Sequence, residues 1–445
     1  MTVIPNHVRR GCLCLALALT PALALADAAL RADIARDYAD HLGGLFEQLH
    51  RNPELSLAEH ATAARLAAEL RAIGFDVTEG VGGTGLVALL RNGDGPLVLM
   101  RADMDGLPVA EQSGLSYAST ASQVDPVTGE SSPTMHACGH DVHMTSLIGT
   151  ARQMMTRRDE WAGTLMLIGQ PAEERGLGAR AMLEDGLYER FGKPDFALGF
   201  HVAAETVAGR INIVSGPTYA GVDSVDILVH GIGTHGANPH QGKDPIVLAS
   251  EIVVALQTLV SRELAPREAG VVTVGSFHAG TKHNVISDEA RLQLTVRNTN
   301  DATRKLLLDG IRRIAENMGR VAGLPDELLP EVTVLEERTP PGFNDPTLSS
   351  RLRNVWTREF GDERIVSEPQ TGMGGEDFAY LTLNSTIPSV FWRVGGTPAE
   401  DFVAAEAGGP PVPSHHSPLF RISPEPAVTA GVESTVVALL ELMGR

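Results

Sequence analysis

The sequence predicts an α/β fold with a largely parallel sheet, into which a smaller α+β domain is inserted. Two observations support the main fold: runs that are apolar on both faces alternate with helical patterns, and ionisable residues follow those runs directly. Strands buried on both faces are typical of parallel sheets, and open α/β sheets place their functional sites at the carboxyl ends of such strands. The third observation is a change of pattern near residue 221, where strands and helices begin to follow the order βαββαβ.

The main domain is predicted in two parts, 27–220 and 339–445. Amphipathic patterns within 30–74 and a helical pattern ending near Arg158 accompany the strands of the first part, which are 77–81, 85–90, 96–101, 164–168 and 196–200. The second part holds a helix over 345–360, a strand over 388–394 and a last helix. That helix begins with Ser423 as N-cap and Pro424 at its first position.

The inserted domain is predicted to span 221–338. Its successive elements are a strand at 224–229, a helix at 244–262, strands at 270–277 and 290–296, a helix at 301–321 and a strand at 331–336. This order is typical of a ferredoxin-like α+β sandwich.

The composition and the first residues bear on location and partners. The chain has 55 acidic and 36 basic residues, which argues against binding to nucleic acid or to an anionic membrane. Arg9 and Arg10 precede an apolar run that ends at Ala26, as in a secretory signal peptide covering 1–26. We therefore expect cleavage near Ala26 and a periplasmic or secreted protein, exported by the Sec or twin-arginine route. An uncleaved anchor is the alternative, and no later stretch is apolar enough for a stable membrane span.

Residues 135–144 place three histidines, one thiol and one carboxylate in a loop that leads into a helical pattern. Cys138 and His140 can both reach a metal there, because thiolate and imidazole are preferred ligands of divalent transition ions. A reactive thiol, or a histidine-rich turn with satisfied hydrogen bonds, is the alternative. Removal of the signal peptide leaves Cys138 as the only cysteine, and a lone cysteine in an oxidising compartment favours a thiolate held by metal.

Two adjacent glutamates follow the strand at 164–168. Neighbouring side chains of an extended backbone point in opposite directions, so Glu174 can bind metal while Glu173 acts as a general base. His201 ends a predicted strand, and His416 lies in a loop before a Ser-Pro step. Taken singly, a solvated acidic turn or a histidine packed in the core explains each of them.

Together these residues indicate a two-metal site. The candidate ligands are Cys138, His140, Glu174, His201 and His416. They are more than one tetrahedral ion needs, and a pair of ions can activate water and polarise a carbonyl oxygen, as amide hydrolysis requires. Sulfur and nitrogen donors exclude magnesium and calcium and leave manganese, zinc, cobalt or nickel.

Several motifs, in order along nearly the whole chain after the predicted signal, resemble one family. They occupy 101–108, 136–141, 169–174, 200–202, 231–246, 284–286, 374–378 and 416–418. The family is that of the dinuclear-metal amidohydrolases and exopeptidases related to aminoacylase and carboxypeptidase G. The branch is that of hippurate hydrolase and the indole-acetyl-amino-acid hydrolases. In this branch a cysteine replaces a metal-bridging carboxylate, which matches Cys138.

The resemblance implies a role for individual residues. The five candidates match the family's metal ligands, and Glu173 matches its catalytic base. His415 is expected to stay unliganded, because the family's ligand directly precedes the Ser-Pro step. Asp103 and Asp105 are expected to support the ligands from behind.

The inserted domain resembles the family's lid and dimerisation domain. His235 matches a histidine that reaches the partner subunit's site and stabilises the oxyanion. Asn284 and Arg297 match groups that hold substrate, and Arg297 suits a free carboxylate. A domain-surface turn and a charge at the end of a strand are the alternatives for these positions. A homodimer or higher homo-oligomer follows from the family alone.

The expected function is therefore metal-dependent hydrolysis of the amide bond of N-acyl amino acids or related conjugates, with Glu173 as general base. A metallo-carboxypeptidase or dipeptidase that acts on peptides is the first alternative, and a non-catalytic periplasmic binding homologue is the second. The segment 116–133 is longer than in many relatives, and Val142, Met144 and Lys282-His283 depart from the usual residues. Substrate specificity is therefore the property that transfers least.

Overall fold

The computed structural model describes residues 20–445, so most of the predicted signal peptide lies outside the described residues. In chain order the strands are β1 (Asp76–Val81), β2 (Gly85–Asn92), β3 (Leu97–Asp103), β4 (Ser122–Val124), β5 (Ser131–Pro133), β6 (Gly163–Gln170), β7 (Phe196–Val207), β8 (Ile211–Asn212), β9 (Gly216–Pro217), β10 (Gly221–His230), β11 (Thr234–His235), β12 (Gly270–Ala279), β13 (Val285–Ile286), β14 (Glu289–Asn298), β15 (Glu331–Thr339), β16 (Phe343–Asn344), β17 (Ile365–Val366) and β18 (Ser389–Thr397). The α-helices are α1 (Thr20–Asp37), α2 (Gly43–Arg51), α3 (His60–Ile73), α4 (His140–Thr156), α5 (Gly178–Glu184), α6 (Leu187–Phe191), α7 (Pro245–Thr258), α8 (Asp301–Val321), α9 (Pro346–Phe360), α10 (Phe378–Leu381), α11 (Ala399–Glu406) and α12 (Pro424–Met443).

The main domain is built on an eight-stranded sheet in the order β1-β2-β6-β3-β7-β18-β8-β17. Its centre is parallel, since β3 pairs in parallel with β6 and β7, and β18 pairs in parallel with β7. The flanks are mixed, because β2 runs antiparallel to both β1 and β6. The α/β prediction is confirmed, and the sheet is a mixed one whose parallel part carries the site.

Apolar side chains cover both faces of this sheet. On one face α4 packs against α12, where Ile148 and Val432 are fully buried. On the other face α5 packs against α10, where Met182 and Phe378 are buried. The two layers hold the central strands rigidly, which fixes the carboxyl ends where ionisable residues lie.

The inserted domain is a four-stranded antiparallel sheet in the order β12-β14-β10-β15. Numbered by their order within the domain, its strands follow the ferredoxin-like arrangement 4-1-3-2, as predicted. Strand β10 alternates buried and half-buried residues, as a strand with one covered face does. Helix α7 packs against β10 and β14 on that face of the sheet, and α8 packs against β14 and β15. Short strands β9 and β16 pair with each other on either side of the insertion, so the chain leaves and re-enters the main domain at adjacent points.

Several predicted strands end too early by two or three residues, and the error is largest for β7. Strand β7 does not stop at residue 200 but continues to Val207, so His201 lies inside the strand. The strand continues because β18 pairs with it past this point, from Ser389–Ala197 to Gly395–Ala203. His201 therefore lies opposite Arg393 within the continuous parallel ladder formed with β18, which makes its position more rigid than a loop would.

Two described helices are long and apolar enough to cross a membrane by length and composition: Pro245–Glu263 and Pro424–Met443. The second has 78% of its apolar window buried, as a core helix of a folded domain does. The first is only 33% buried and lies on the inserted domain. Neither is more than weak support for a membrane span.

Candidate active site

A cleft of about 710 Å³ lies at the carboxyl edge of the central strands, between the main and inserted domains. Strands β3 and β6 end there, at Asp103 and Gln170. The main domain contributes Glu173 and His201 to its lining, and the inserted domain contributes Arg297. Its size suits a small-molecule substrate.

The loop before α4 delivers two of the predicted ligands. Gly139 has φ +84°, and a Cβ there would lie 2.3 Å from Val202 Cγ1, so glycine allows the loop to pack against β7. Cys138 is buried on this loop, and His140 begins α4. His140 Nδ1 donates to the backbone oxygen of Asp105 at 2.8 Å, which directs Nε2 toward the cleft. A fixed tautomer of this kind is what a metal-binding imidazole requires.

The two glutamates lie in a tight turn rather than in extended backbone. The prediction that their side chains point in opposite directions is therefore wrong. Residues Glu173–Arg175 form one turn of 3-10 helix, and Ala172 before them is left-handed at φ 46°. Glu173 Oε2 and Glu174 Oε1 each lie 3.9 Å from His140 Nε2. Both carboxylates therefore face the same point, and their side chains are only 9% exposed.

The remaining histidines approach from β7 and from the loop before α12. His201 Nδ1 donates to the Val202 carbonyl at 2.7 Å, and its Nε2 lies 3.4 Å from Cys138 Sγ. His416 Nε2 lies 3.4 Å from Glu174 Oε2, with 55% of its side chain exposed. His415 Nε2 accepts from the Ala204 N–H at 3.1 Å, so that nitrogen is occupied by the protein itself.

The potential metal donors of the cleft form several overlapping groups. Ligand atoms of Cys138, Glu174 and His416 all lie within 4.8 Å of one another. His140 and His201 come within the same distance of each other, and Cys138 also approaches His201. Cys138 belongs to two of these groups, one with Glu174 and His416 and one with His201 and His415.

The donor atoms fit a pair of transition-metal ions. Among the described residues, His140 Nε2 and Glu174 Oε1 are fully buried and have no hydrogen-bond partner. Buried polar atoms are almost always satisfied, so unpartnered ones that converge indicate a missing ligand. Sulfur, imidazole and carboxylate together suit zinc, manganese, cobalt or nickel.

Burial and crowding of charge shift the ionisable groups strongly. Burial, and then Glu376 and Glu174, raise the pKa of Glu173 well above its usual value. Burial also raises the pKa of Glu174 to about 7 and that of the Cys138 thiol well above its usual range. For His140, burial alone would lower the pKa, but Asp103 and Asp105 raise it to about 10. Concentrated negative charge of this kind is stabilised when cations bind.

Asp103 and Asp105 lie behind the ligands, in the supporting positions predicted for them. Asp103 accepts from His143 Nδ1, and His143 Nε2 accepts from the Val202 N–H at 2.8 Å. Both nitrogens of His143 are thus used within the protein. Asp105 Oδ2 accepts from the Glu174 N–H at 3.0 Å, and so orients the turn that carries the carboxylates.

A fully buried ion network was missed in the sequence. The Arg101 guanidinium donates to Glu376 at 2.6 Å and to Asp103 at 2.8 Å, and it lies 3.3 Å from Asp377. Both carboxylates of the 374–378 motif had been noted without a role. They pair with a residue 275 positions away, and nothing local in the sequence indicates that partner. The network places negative charge beside Glu173 and anchors the carboxyl edge of β3.

A second buried network supports the metal loop from the opposite side. His50 on α2 donates to Asp141 at 2.6 Å and to Glu111 at 3.1 Å. Burial alone would lower the pKa of His50, but these hydrogen bonds raise it to about 9. His50 is therefore a buried cation at neutral pH, and it holds the residue directly after His140.

This cation should make stability depend on pH. The folded-state pKa of His50 exceeds that of an unfolded histidine, so its contribution is complete below about pH 6.5 and is lost as pH rises through about 9. We expect His50→Gln to lower the free energy of unfolding by about 3 kcal/mol at pH 6, because two buried carboxylates lose their partner. Urea unfolding should show that difference narrowing toward pH 9. Leu49→Ala, which shortens a neighbouring core side chain, should lower the free energy of unfolding by the same amount at every pH. A His50→Gln deficit that is constant from pH 6 to 9 would contradict the assignment.

The structure separates the three predicted residues of the inserted domain. His235 and Asn284 lie together on the β11–β13 ribbon, where the Gly236 N–H donates to the Asn284 carbonyl at 2.8 Å. Both are exposed, and neither lines the cleft of their own chain. His235 Nδ1 accepts from the Ala237 N–H at 3.0 Å, so a neutral imidazole carries its proton on Nε2.

Arg297 does line the cleft. Its Nε donates to Thr295 Oγ1 at 2.9 Å, and burial lowers its pKa. Within the described part of the chain it forms no ion pair, whereas Arg175 and Arg393 in the same lining are paired with Asp125 and Glu205. Arg338 also lines the cleft without an ion pair among the described residues, and its Nε donates to the Tyr380 hydroxyl at 3.3 Å. Arg297 and Arg338 are therefore the two cations of the lining that can receive an anionic group of a ligand.

The long segment 116–133 forms a small hairpin of β4 and β5 at the rim of the cleft. Gln123 Oε1 accepts from the Leu55 N–H at 2.6 Å, and Asp125 accepts from Arg175 at 2.9 Å. The hairpin is thus fastened both to the loop before α3 and to the residue directly after Glu174. It adds a wall to the cleft.

Metal-binding donors at the carboxyl edge of an α/β sheet, with a buried carboxylate beside them, define a metal-dependent hydrolase. The family model for "Peptidase family M20/M25/M40" matches residues 99–407. The chain belongs to this family, and the resemblance found in its motifs is confirmed.

Known proteins support this assignment. The chain is 36% identical to the hippurate hydrolase of Campylobacter jejuni, over 76% of this chain and 85% of that protein. It is 33% identical to thermostable carboxypeptidase 2 of Saccharolobus solfataricus, over 81% of this chain and 87% of that protein. A solved structure of Bacillus subtilis YXEP, described as a dinuclear metal-binding peptidase of the M20 family, superposes with a TM-score of 0.72. Its sequence is 30% identical, and the superposition covers 91% of this chain and 98% of the YXEP chain.

Proposed function

We propose that this protein is a metal-dependent amidohydrolase that cleaves the amide bond of N-acyl amino acids or related conjugates. The observation that carries the proposal is the buried Glu173 carboxylate, which faces the same point as the donors suited to two ions. Hippurate, from which the Campylobacter jejuni relative takes its name, is an N-acyl amino acid. The metal ligands are Cys138, His140, Glu174, His201 and His416 in this proposal.

The chemistry then divides between the ions and the protein. Two bound divalent ions would polarise the scissile carbonyl and lower the pKa of the attacking water. Glu173 takes the proton from that water at its carboxylate and transfers it to the leaving nitrogen. Arg297 holds the carboxylate of the amino-acid part, because it lines the cleft from the inserted domain and has no acidic partner among the described residues.

His235 would serve the site of a partner subunit. It is exposed on the β11–β13 ribbon, and its neutral form presents Nε2–H as a donor for an oxyanion. Asn284 beside it would contact the substrate in the same way. The inserted domain also has a surface suited to a second copy: β12 is an edge strand, and α7 exposes Val247 and Val254. We therefore propose a homodimer in which each site is completed by the other chain.

Subunit mixing tests this directly. Glu173→Gln and His235→Ala homodimers should each be nearly inactive, for different reasons. A mixed dimer has one site with both native groups and one with neither, so a random mixture should recover about a quarter of wild-type activity. If His235 acts within its own chain, mixing restores nothing. Light scattering on each homodimer checks that both variants still associate.

A screen of the reconstituted enzyme tests the substrate class. The apo-protein is loaded separately with manganese, zinc, cobalt or nickel and offered N-benzoylglycine, N-acetyl amino acids and matching dipeptides. Faster hydrolysis of N-acyl amino acids supports the proposal. Hydrolysis of dipeptides alone would favour a metallo-carboxypeptidase or dipeptidase. The similarity to thermostable carboxypeptidase 2 supports that alternative. No bound metal and no hydrolysis would favour a binding homologue, although such a protein has no use for Glu173.

We also propose that the protein is exported, because the apolar run that ends at Ala26 is typical of a signal peptide. The predicted cleavage site falls within α1, which begins at Thr20. Fractionation of expressing cells, with N-terminal sequencing of the product, tests it. A mature chain that begins near Asp27 in the periplasm or medium supports export, and an intact N-terminus in the cytoplasm contradicts it.

A further inference from the structure

The turn that presents Glu173 has an unusual backbone. Ala172, directly before it, has φ 46° and ψ 41°, in the left-handed region that residues with a Cβ seldom adopt. The turn is also crowded, because a Cβ at Gly178 would lie 1.5 Å from the Pro171 carbonyl oxygen. A conformation of this kind persists only where surrounding contacts hold it.

Glu59 supplies one such contact from outside the cleft. It lies directly before α3 and is 0% exposed. One carboxylate oxygen accepts from the Ala172 N–H at 2.7 Å, and the other accepts from the Thr84 hydroxyl. Among the described residues no arginine, lysine or histidine pairs with Glu59, so the turn and Thr84 are its hydrogen-bonding partners from other parts of the chain.

A second buried carboxylate acts on the other side of the same residue. Asp105 Oδ2 accepts from the Glu174 N–H at 3.0 Å and from the Ser56 hydroxyl at 2.6 Å. The N–H groups immediately before and after Glu173 are therefore both held by buried carboxylates. Ser56 and Glu59 belong to one loop, which ties this arrangement to the start of α3.

Hydrogen bonds to a carboxylate are shorter and stronger than those between neutral groups, and a buried acid is costly unless it makes them. Glu59 makes its bonds to a left-handed turn rather than to a cation. On the basis that Glu173 is the proton acceptor proposed above, we propose that Glu59 is a positioning residue. It holds the Ala172 peptide in its left-handed conformation and thereby sets where the Glu173 carboxylate lies.

The test compares Glu59→Ala, Glu59→Gln and Glu54→Ala in the metal-loaded enzyme. Glu54 is the matched control, because its carboxylate accepts from the Ala61 and Thr62 N–H groups at the start of α3 and not from the turn. The substrate is N-benzoylglycine, or the screened compound with the highest wild-type turnover. We expect Glu59→Ala to lower kcat by about 10- to 100-fold, since small misplacement of a reacting group has effects of this size. KM and the number of bound ions should be unchanged.

Rescue distinguishes positioning from a general loss of structure. Glu59→Gln keeps an oxygen that can accept from Ala172, so it should recover most of kcat, while Glu54→Ala should lower Tm without lowering kcat. In an Ala172→Gly background the effect of Glu59→Ala should shrink, because glycine reaches φ 46° without help. If Glu59→Ala does not fold, Glu59→Met, which fills similar volume without an acceptor, takes its place.

Two results would overturn the proposal: kcat unchanged in Glu59→Ala, or a fall in kcat that follows loss of bound metal. The outcome is separable from that of the proposed function. An active Glu173→Gln enzyme removes the assignment of the base itself. An inactive Glu173→Gln enzyme beside a fully active Glu59→Ala enzyme removes only the positioning role.

Discussion

Glu173→Gln should lose turnover and keep its metal. Glutamine has nearly the same shape as glutamate but cannot accept the proton of the attacking water, so kcat should fall by about 10³-fold or more. The proposed ligand set does not include Glu173, so the number of bound ions should stay the same. Single-turnover rates with N-benzoylglycine and elemental analysis of the same preparation measure both quantities.

The control for this substitution is Glu184→Gln, on α5. Its side chain is 70% exposed and, among the described residues, pairs with Arg180 alone at the surface, so the same chemical change should leave kcat and stability almost unaffected. A Glu173→Gln enzyme with wild-type turnover would exclude Glu173 as the base. Loss of both ions in that variant would instead make Glu173 a ligand.

The longer strands and their order along the chain could be predicted because they depend on local patterns, whereas the strands of two or three residues, such as β11 and β17, were not predicted. Helix α8 was predicted at 301–321 and is found at Asp301–Val321, since a long amphipathic helix shows its period in the sequence. The βαββαβ order of the inserted domain needs only the succession of such patterns. The end of β7 was wrong, because the pairing with β18 that extends it lies nearly 200 positions away and leaves no local signal.

The residues of the site also differ in whether local sequence could predict them. Cys138 and His140 could be proposed as metal donors because residue type and spacing indicate that chemistry, and the structure places each of them among other potential donors. The partners that orient the site were not recognisable, since Arg101 pairs with Glu376 and Glu59 reaches Ala172 across the fold. A charged residue inside an apolar or motif-like stretch indicates that it has a partner. The sequence does not show which of these residues are in contact.

Cys138→Ser should remove the atom on which the proposed metal pair depends most. Cys138 Sγ approaches His201 on one side and belongs with Glu174 and His416 on the other. A serine hydroxyl in the same place is a poor ligand for transition metals, because it does not ionise near neutral pH. We expect bound metal to fall below two ions per chain and kcat/KM to fall by more than about 100-fold.

Cys138→Asp is the informative partner of this variant. The family resemblance implies a bridging carboxylate at the position of Cys138 in relatives outside this branch, so aspartate should recover part of the metal binding that serine loses. The fold should survive both changes, because Cys138 is one small side chain in a loop held by Gly139 and α4. Titration of the apo-proteins with zinc and manganese ranks the three enzymes. Equal metal content in wild type and Cys138→Ser would mean that the sulfur is not a ligand. In that case His415, which lies with Cys138 and His201 and has its Nδ1 unpartnered among the described residues, would be the next donor to test.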